Sequence, residues 1–225
     1  MLTPGRLRED DAGFTLVELL MSVVILGIIA VPLAGVVLGY LQNAGATSAR
    51  MSESHDAQMA AAYFAQDVQA LGVRDYSDTT TFEHPLLSSV ETGVAAAAGA
   101  YPCGPAGTPD AVVRLAWDDW DGVPSGSSTA PIRVRAAYVV QNGTELHRLV
   151  CRDSSAVVSD VVVAHDLVAP FAAVTCTDRA GAAVACTGAG TAVPGTVSLR
   201  LTIHDPQRAA GSTYSVTLTG QRRQT

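Results

Sequence analysis

The sequence predicts an α+β protein, in which a long N-terminal helix, apolar and membrane-length in one half and amphipathic in the other, packs on an antiparallel β-sheet globular domain. Three observations carry that expectation. Residues 19 to 41 form an apolar run without a charge. The chain after it turns polar without a helix breaker and keeps apolar positions at helical spacing. Beyond residue 110 it changes to short β-branched stretches separated by turn residues.

The run LLMSVVILGIIAVPLAGVVLGYL is long enough to cross a hydrocarbon core of about 30 Å as a helix. A core helix of a soluble domain is one competing assignment and a cleaved secretory signal another. An ordinary signal has a shorter apolar stretch followed by small residues, whereas here the small pair Ala12-Gly13 comes first. Glu18 stands just before the run, where a carboxylate is costly: roughly 2.5 to 3.5 kcal/mol at a helix centre in a membrane and less toward an end. A Glu that merely sits in the polar headgroup layer is the lesser of two accounts of it; a positive partner that repays the cost is the other. Pro32, with Gly27, Gly35 and Gly39 around it, removes one intrahelical hydrogen bond and is expected to bend or loosen the helix there.

From residue 42 the helix is expected to continue to about residue 75. Ala57, Ala61, Phe64, Val68 and Leu71 step by four and three and form one apolar stripe; Gln58, Gln66, Asp67 and Gln69 fall away from it. Gly72 and the cluster Asp75-Tyr76-Ser77-Asp78 mark its end. Residues 79 to 110, rich in proline and with an alanine tract at 95 to 98, read as a variable loop or a partly ordered insertion. Strands are expected at AVVRLAW (111 to 117), IRVRAAYVVQ (132 to 141) and TELHRLVC (144 to 151), with Asn142-Gly143 as a tight hairpin turn between the last two. DVVVAHDLV, FAAVTC, VSLRLTI (197 to 203) and TYSVTLTG (213 to 220) complete the pattern.

Composition narrows the function classes. The net charge is -7, every one of the 14 basic residues is Arg, and only Arg222 and Arg223 are adjacent. A nucleic-acid partner is not expected from such a balance. Cys103, Cys151, Cys176 and Cys186 form no C-x-x-C pair and have no zinc-type spacing, so disulfides in an exported domain are the better reading. Three connectivities are open; Cys176 with Cys186, leaving Cys103 with Cys151, is the local choice. The histidines are scattered and no serine sits in G-x-S-x-G, so neither an enzyme nor a cofactor is expected. Trp117-Asp118-Asp119-Trp120-Asp121-Gly122 is dense in acids and aromatics, but it fails calcium-loop spacing and reads as a solvated turn, with no metal expected; an aromatic contact for a protein or glycan is the other use of it.

The stretch Gly13-Phe14-Thr15-Leu16-Val17-Glu18 followed by an apolar helix resembles the type IV prepilin signature shared by pilins, minor pilins and type II secretion pseudopilins. The resemblance covers residues 5 to 41. It implies a leader at 1 to 13 cut after Gly13 by a prepilin peptidase, N-methylation of the new terminus Phe14, a transmembrane and filament-core helix at 14 to 41, its amphipathic continuation at 42 to 75, and an extracytoplasmic globular domain at 76 to 225. It also implies Glu18 and Pro32 as assembly residues. The partners it implies are other pilin or pseudopilin subunits, an assembly platform protein and the membrane. The chain would cross the cytoplasmic membrane once with its N-terminus inside, and reach a filament or the cell surface after assembly. A cut before Phe14 creates an amine four residues from Glu18, and the resemblance assigns that carboxylate to a neighbouring subunit's amine. At roughly 4 Å and an effective dielectric near 20, such a pair attracts by about 4 kcal/mol, comparable to the burial cost. The strand order beyond residue 42 further resembles minor pilins of the J or W type. A tip-located or membrane-anchored binding protein is the alternative function.

Overall fold

The computed structural model describes residues 15–77, 83–120, 131–205 and 211–223. The chain divides into two compact units, Met1–Arg50 and Met51–Thr225. Its fold class is α+β, as the sequence predicts.

A single helix, α1, runs from Leu16 to Ala70. Pro32 lies inside it without ending it, so the expected loosening is confined to the hydrogen bond that its missing N–H cannot donate to the Ile28 carbonyl. The first unit's part of α1 contains an apolar stretch, Leu16–Gly45, in which no residue is buried among the described residues.

In the second unit, the Met51–Ala70 part of α1 buries Ala60, Phe64 and Val68, and Leu71 follows on the same face. This corrects the predicted stripe. Ala61 is exposed and Ala57 only half-buried, while Ala60 takes the buried place. In an alanine-rich helix the weak apolarity of each methyl does not choose the buried face; Phe64 and its partners do. Asp67, expected to fall away from the stripe, is buried.

Among the described residues ten strands follow: β1 (Val73–Arg74), β2 (Leu86–Leu87), β3 (Val90–Val94), β4 (Ala111–Asp119), β5 (Ile132–Gln141), β6 (Glu145–Arg152), β7 (Val157–Ala164), β8 (Leu167–Thr177), β9 (Thr196–His204) and β10 (Thr213–Gln221). They form a small β1-β2 pair, a five-stranded sheet β3-β4-β5-β6-β7 and a three-stranded sheet β10-β9-β8. Every strand pairing is antiparallel. The single expected sheet is therefore divided, and the division falls where DVVVAHDLV was read as one strand. His165-Asp166 is a turn, with Asp166 at φ 57°, so the stretch ends β7 and begins β8 in another sheet. The Asn142-Gly143 turn forms as predicted, both residues having positive φ as a tight hairpin requires.

One core joins the helix stripe to both larger sheets: Phe64 and Val68 cluster with Leu115, Tyr138, Leu146, Leu199, Leu201 and Leu218. Gly220 on β10 is required by that packing, since a Cβ there would come within 2.5 Å of the Val68 Cβ. Phe64 meets the Tyr138 ring edge-on, with ring centres 5.4 Å apart. Fully burying one such side chain contributes roughly 1.5 to 3 kcal/mol.

The segment expected as a loop holds β2 and β3 and is tied down at two points. Arg114 of β4, wholly buried, donates to Glu91 at 2.7 Å and to the carbonyls of Ala95, Ala96 and Ala98 in the alanine tract. Cys103 forms a disulfide to Cys151 on β6. Propensity at 79 to 110 is weak, and a guanidinium from another strand supplies the order. The other disulfide joins Cys176 to Cys186, so the cysteines pair in the locally favoured connectivity.

Candidate assembly site on the first helix

Gly13 and Phe14 lie outside the described residues. The first described residue, Thr15, caps α1: the Glu18 N–H donates to the Thr15 hydroxyl at 3.3 Å, and the backbone N–H groups of Glu18 and Leu19 donate to the Thr15 carbonyl. A helix start leaves its first N–H groups without helical partners, and a threonine oxygen three residues back satisfies one. Thr15-x-x-Glu18 has the spacing of a capping box, a signal the sequence reading passed over. Glu18 thus has a second reason to be there: a carboxylate in the first turn is favoured by the helix dipole. Its residue is exposed, as are Leu16, Val17, Leu19 and Leu20 around it. One turn on, the Ser22 hydroxyl donates to the Glu18 carbonyl at 2.8 Å. The chemistry available here is a carboxylate at the start of an apolar helix, open to a cation from outside the chain. Pro32 is fourteen residues beyond Glu18, among Val31, Leu33 and Val36, all exposed.

The globular unit has its own polar centres, each turned to internal support. Asp67 accepts from both Arg148 nitrogens, at 2.7 Å from Nε and 2.5 Å from Nη2, and from the Tyr138 hydroxyl at 2.8 Å. The Arg148 guanidinium also lies over the Tyr63 ring, 4.9 Å from its centre. Burial, reinforced by the Asp67 charge, pushes the Tyr138 hydroxyl well above its ordinary pKa of 10.0. Burial alone would lower Arg148, but the hydrogen bond and charge of Asp67 outweigh it and raise the pKa. None of these three residues was singled out for this role by sequence; they lie up to 81 residues apart.

The Trp117–Trp120 cluster is not the expected solvated turn: Trp117, Asp118 and Asp119 are the half-buried end of β4, paired with Val134, Arg133 and Ile132 of β5, and arginines anchor the two carboxylates. Asp118 accepts from Arg133 at 3.3 Å and from the Arg74 backbone N–H at 2.7 Å, and Asp119 accepts from Arg152 at 2.8 Å. Trp120, 51% exposed, stands edge-on to Tyr76, whose ring also stacks near His84. Asp121 and Gly122 lie outside the described residues. The histidines are likewise engaged separately: His147 with Asp160 at 2.7 Å, and His165 with Asp56 at 2.6 Å.

A family model for the prokaryotic N-terminal methylation motif matches residues 10–34. A comparison with curated protein sequences finds no match. The matched segment ends inside the exposed apolar part of α1 and contains both the cap and the carboxylate. That motif points to a structural role, to processing by a prepilin peptidase and to a single-pass membrane anchor carrying a globular domain. With its signature and the apolar helix that continues it, the chain is a type IV prepilin-like protein, of the kind assembled into pili or pseudopili.

Proposed function

We propose that the protein is a minor pilin or pseudopilin subunit, matured by cleavage after Gly13 and N-methylation of Phe14, and built into a filament through its first helix. The observation that carries this reading is the match over residues 10–34 on a helix whose apolar stretch Leu16–Gly45 has no buried residue among the described residues. In this reading residues 1–13 are the leader, 14–41 the membrane and filament-core helix, 42–75 the segment that continues it, helical as far as Ala70 and not to the expected residue 75, and 76–225 the exported domain. Before assembly the helix lies in lipid; afterwards it lies against neighbouring helices and a platform protein. Glu18 holds the N-terminal amine of the next subunit, and Pro32 leaves the Ile28 carbonyl open, a point at which the helix yields during packing.

The two disulfides support export, because such bonds persist in oxidising compartments. The J or W resemblance of the strand order supports a minor rather than a major subunit. N-terminal sequencing and intact mass of the membrane-fraction protein, from cells with and without a prepilin peptidase, test the maturation step. A chain starting at Phe14 only when the peptidase is present is expected. A chain starting at Met1 in both would leave Glu18 without an amine and favour a membrane-anchored binding protein. Glu18→Ala in a cleavage-competent background is expected to process normally and be lost from sheared filaments. Its normal incorporation would remove Glu18 from the assembly role.

A further inference from the structure

The two larger sheets expose four outer edges, and they are not alike. Unpaired edges are templates for another strand, and proteins blunt them with charge, proline, bulges or shortness. β3 has five residues and carries Gly93 at φ 60°. β7 carries Asp160, and its pairing with β6 shifts register twice. β8 carries Pro170, and its pairing with β9 skips from Leu167 to Ala172. β10 has none of these devices. Its nine residues, TYSVTLTGQ, contain no charge and no proline, and pair with β9 in unbroken register. Among the described residues, β9 is its only strand neighbour.

The same strand is self-complementary about Thr217. An antiparallel copy centred there sets Val216 opposite Leu218, Ser215 opposite Thr219, Tyr214 opposite Gly220 and Thr213 opposite Gln221. Side chains alternate along it, with Thr213, Ser215, Thr217, Thr219 and Gln221 exposed, and Tyr214, Val216, Leu218 and Gly220 on the inner face. The outer face would therefore meet as Ser and Thr pairs flanked by Thr213 with Gln221, and the inner face as the aliphatic pair Val216 with Leu218, both favourable across antiparallel strands. No like charges face each other in any of these pairs.

We propose that β10 is a homotypic docking edge, pairing antiparallel with β10 of a second copy to join two three-stranded sheets into one of six strands. The twofold axis of such a pair stands normal to the sheet. The Met51–Ala70 helical segments packed against those sheets therefore run in opposite directions in the two copies.

The test uses the full chain in nanodiscs holding one copy each, followed by analytical ultracentrifugation over a concentration series. Wild-type discs are expected to pair reversibly. Thr217→Lys and Thr217→Glu, each at an exposed position, place like charges on the twofold axis and should weaken pairing roughly tenfold or more. Mixing the Lys discs with the Glu discs should restore it. Wild-type discs that stay single at the highest concentration, a Lys variant that pairs as well as wild type, or a mixture that fails to recover would each overturn the proposal; the second assigns pairing to another surface. Unchanged circular dichroism of both variants confirms that the fold persists. The outcome is independent of whether the chain is cut after Gly13, so it and the maturation test fail separately.

Discussion

The two parts of α1 are continuous helix, yet they solve opposite problems. Between Leu16 and Gly45 nearly every residue is apolar and exposed. Between Ser54 and Ala70 the exposed positions are polar or alanine, and Phe64 and Val68 are sealed in the core. The second part finds its partner in its own chain. The first has no buried residue among the described residues, and exposed apolar surface on that scale suits a membrane or another subunit. Polar groups divide the same way: Asp67 is surrounded by two internal donors, while Glu18 bonds, among the described residues, through its backbone to its own helix start and to Ser22.

That contrast can be broken from either end. The largest expected effect comes from removing the Cys103–Cys151 disulfide by double serine substitution. Loop entropy for its 48-residue separation assigns about 4 kcal/mol, against about 3 kcal/mol for the 10-residue Cys176–Cys186 loop. Urea unfolding of the full chain in detergent should show the loss in the globular unit, with membrane partition unchanged. Asp67→Ala comes next, at about 3 kcal/mol, because it strands the Arg148 charge and the Tyr138 hydroxyl in the core. If this variant is instead as stable as wild type, the pair is not the anchor of the amphipathic half.

A smaller effect is a pH dependence with a defined sign. The folded pKa of Tyr138 is raised, so the native state holds its proton where the unfolded chain releases it. Stability from this group is fully present below the unfolded value of 10.0 and falls as pH rises from there toward the folded pKa. Tyr138→Phe should flatten the stability profile above pH 10, measured by chemical unfolding at fixed pH values. The smallest effect is expected from Thr15→Ala, which removes the cap for about 1 kcal/mol. Faster amide exchange at residues 16 to 19, with no change in the globular unit, is the readout; a change in both would mean that the parts are coupled.

Reading the sequence recovered the elements whose signal is local. The strands at 111 to 117 and 132 to 141 lie within β4 and β5, and the Asn142-Gly143 turn lies between β5 and β6. It erred where a local pattern was ambiguous. DVVVAHDLV carries no proline or glycine to announce the turn at His165-Asp166, and Ala60 and Ala61 differ in nothing but position. The assembly segment was the most legible part, because its signature is contiguous. The Thr15 cap was equally available as a spacing, but the prepilin signature absorbed the same residues.

By itself the sequence determined that an apolar helix follows a prepilin signature, that β-rich chain comes after, and that four cysteines without metal spacing suit disulfides. Each of these is a property of neighbouring residues: hydrophobic period, turn chemistry and motif order. Tertiary structure alone decided which face of an alanine-rich helix is buried, that Asp67, Tyr138 and Arg148 meet, that Arg114 orders the alanine tract, and that the strands divide into two sheets with β10 on an open edge. Those outcomes depend on which distant segments share one core. Strand register selects among such partners, and no local pattern records that choice.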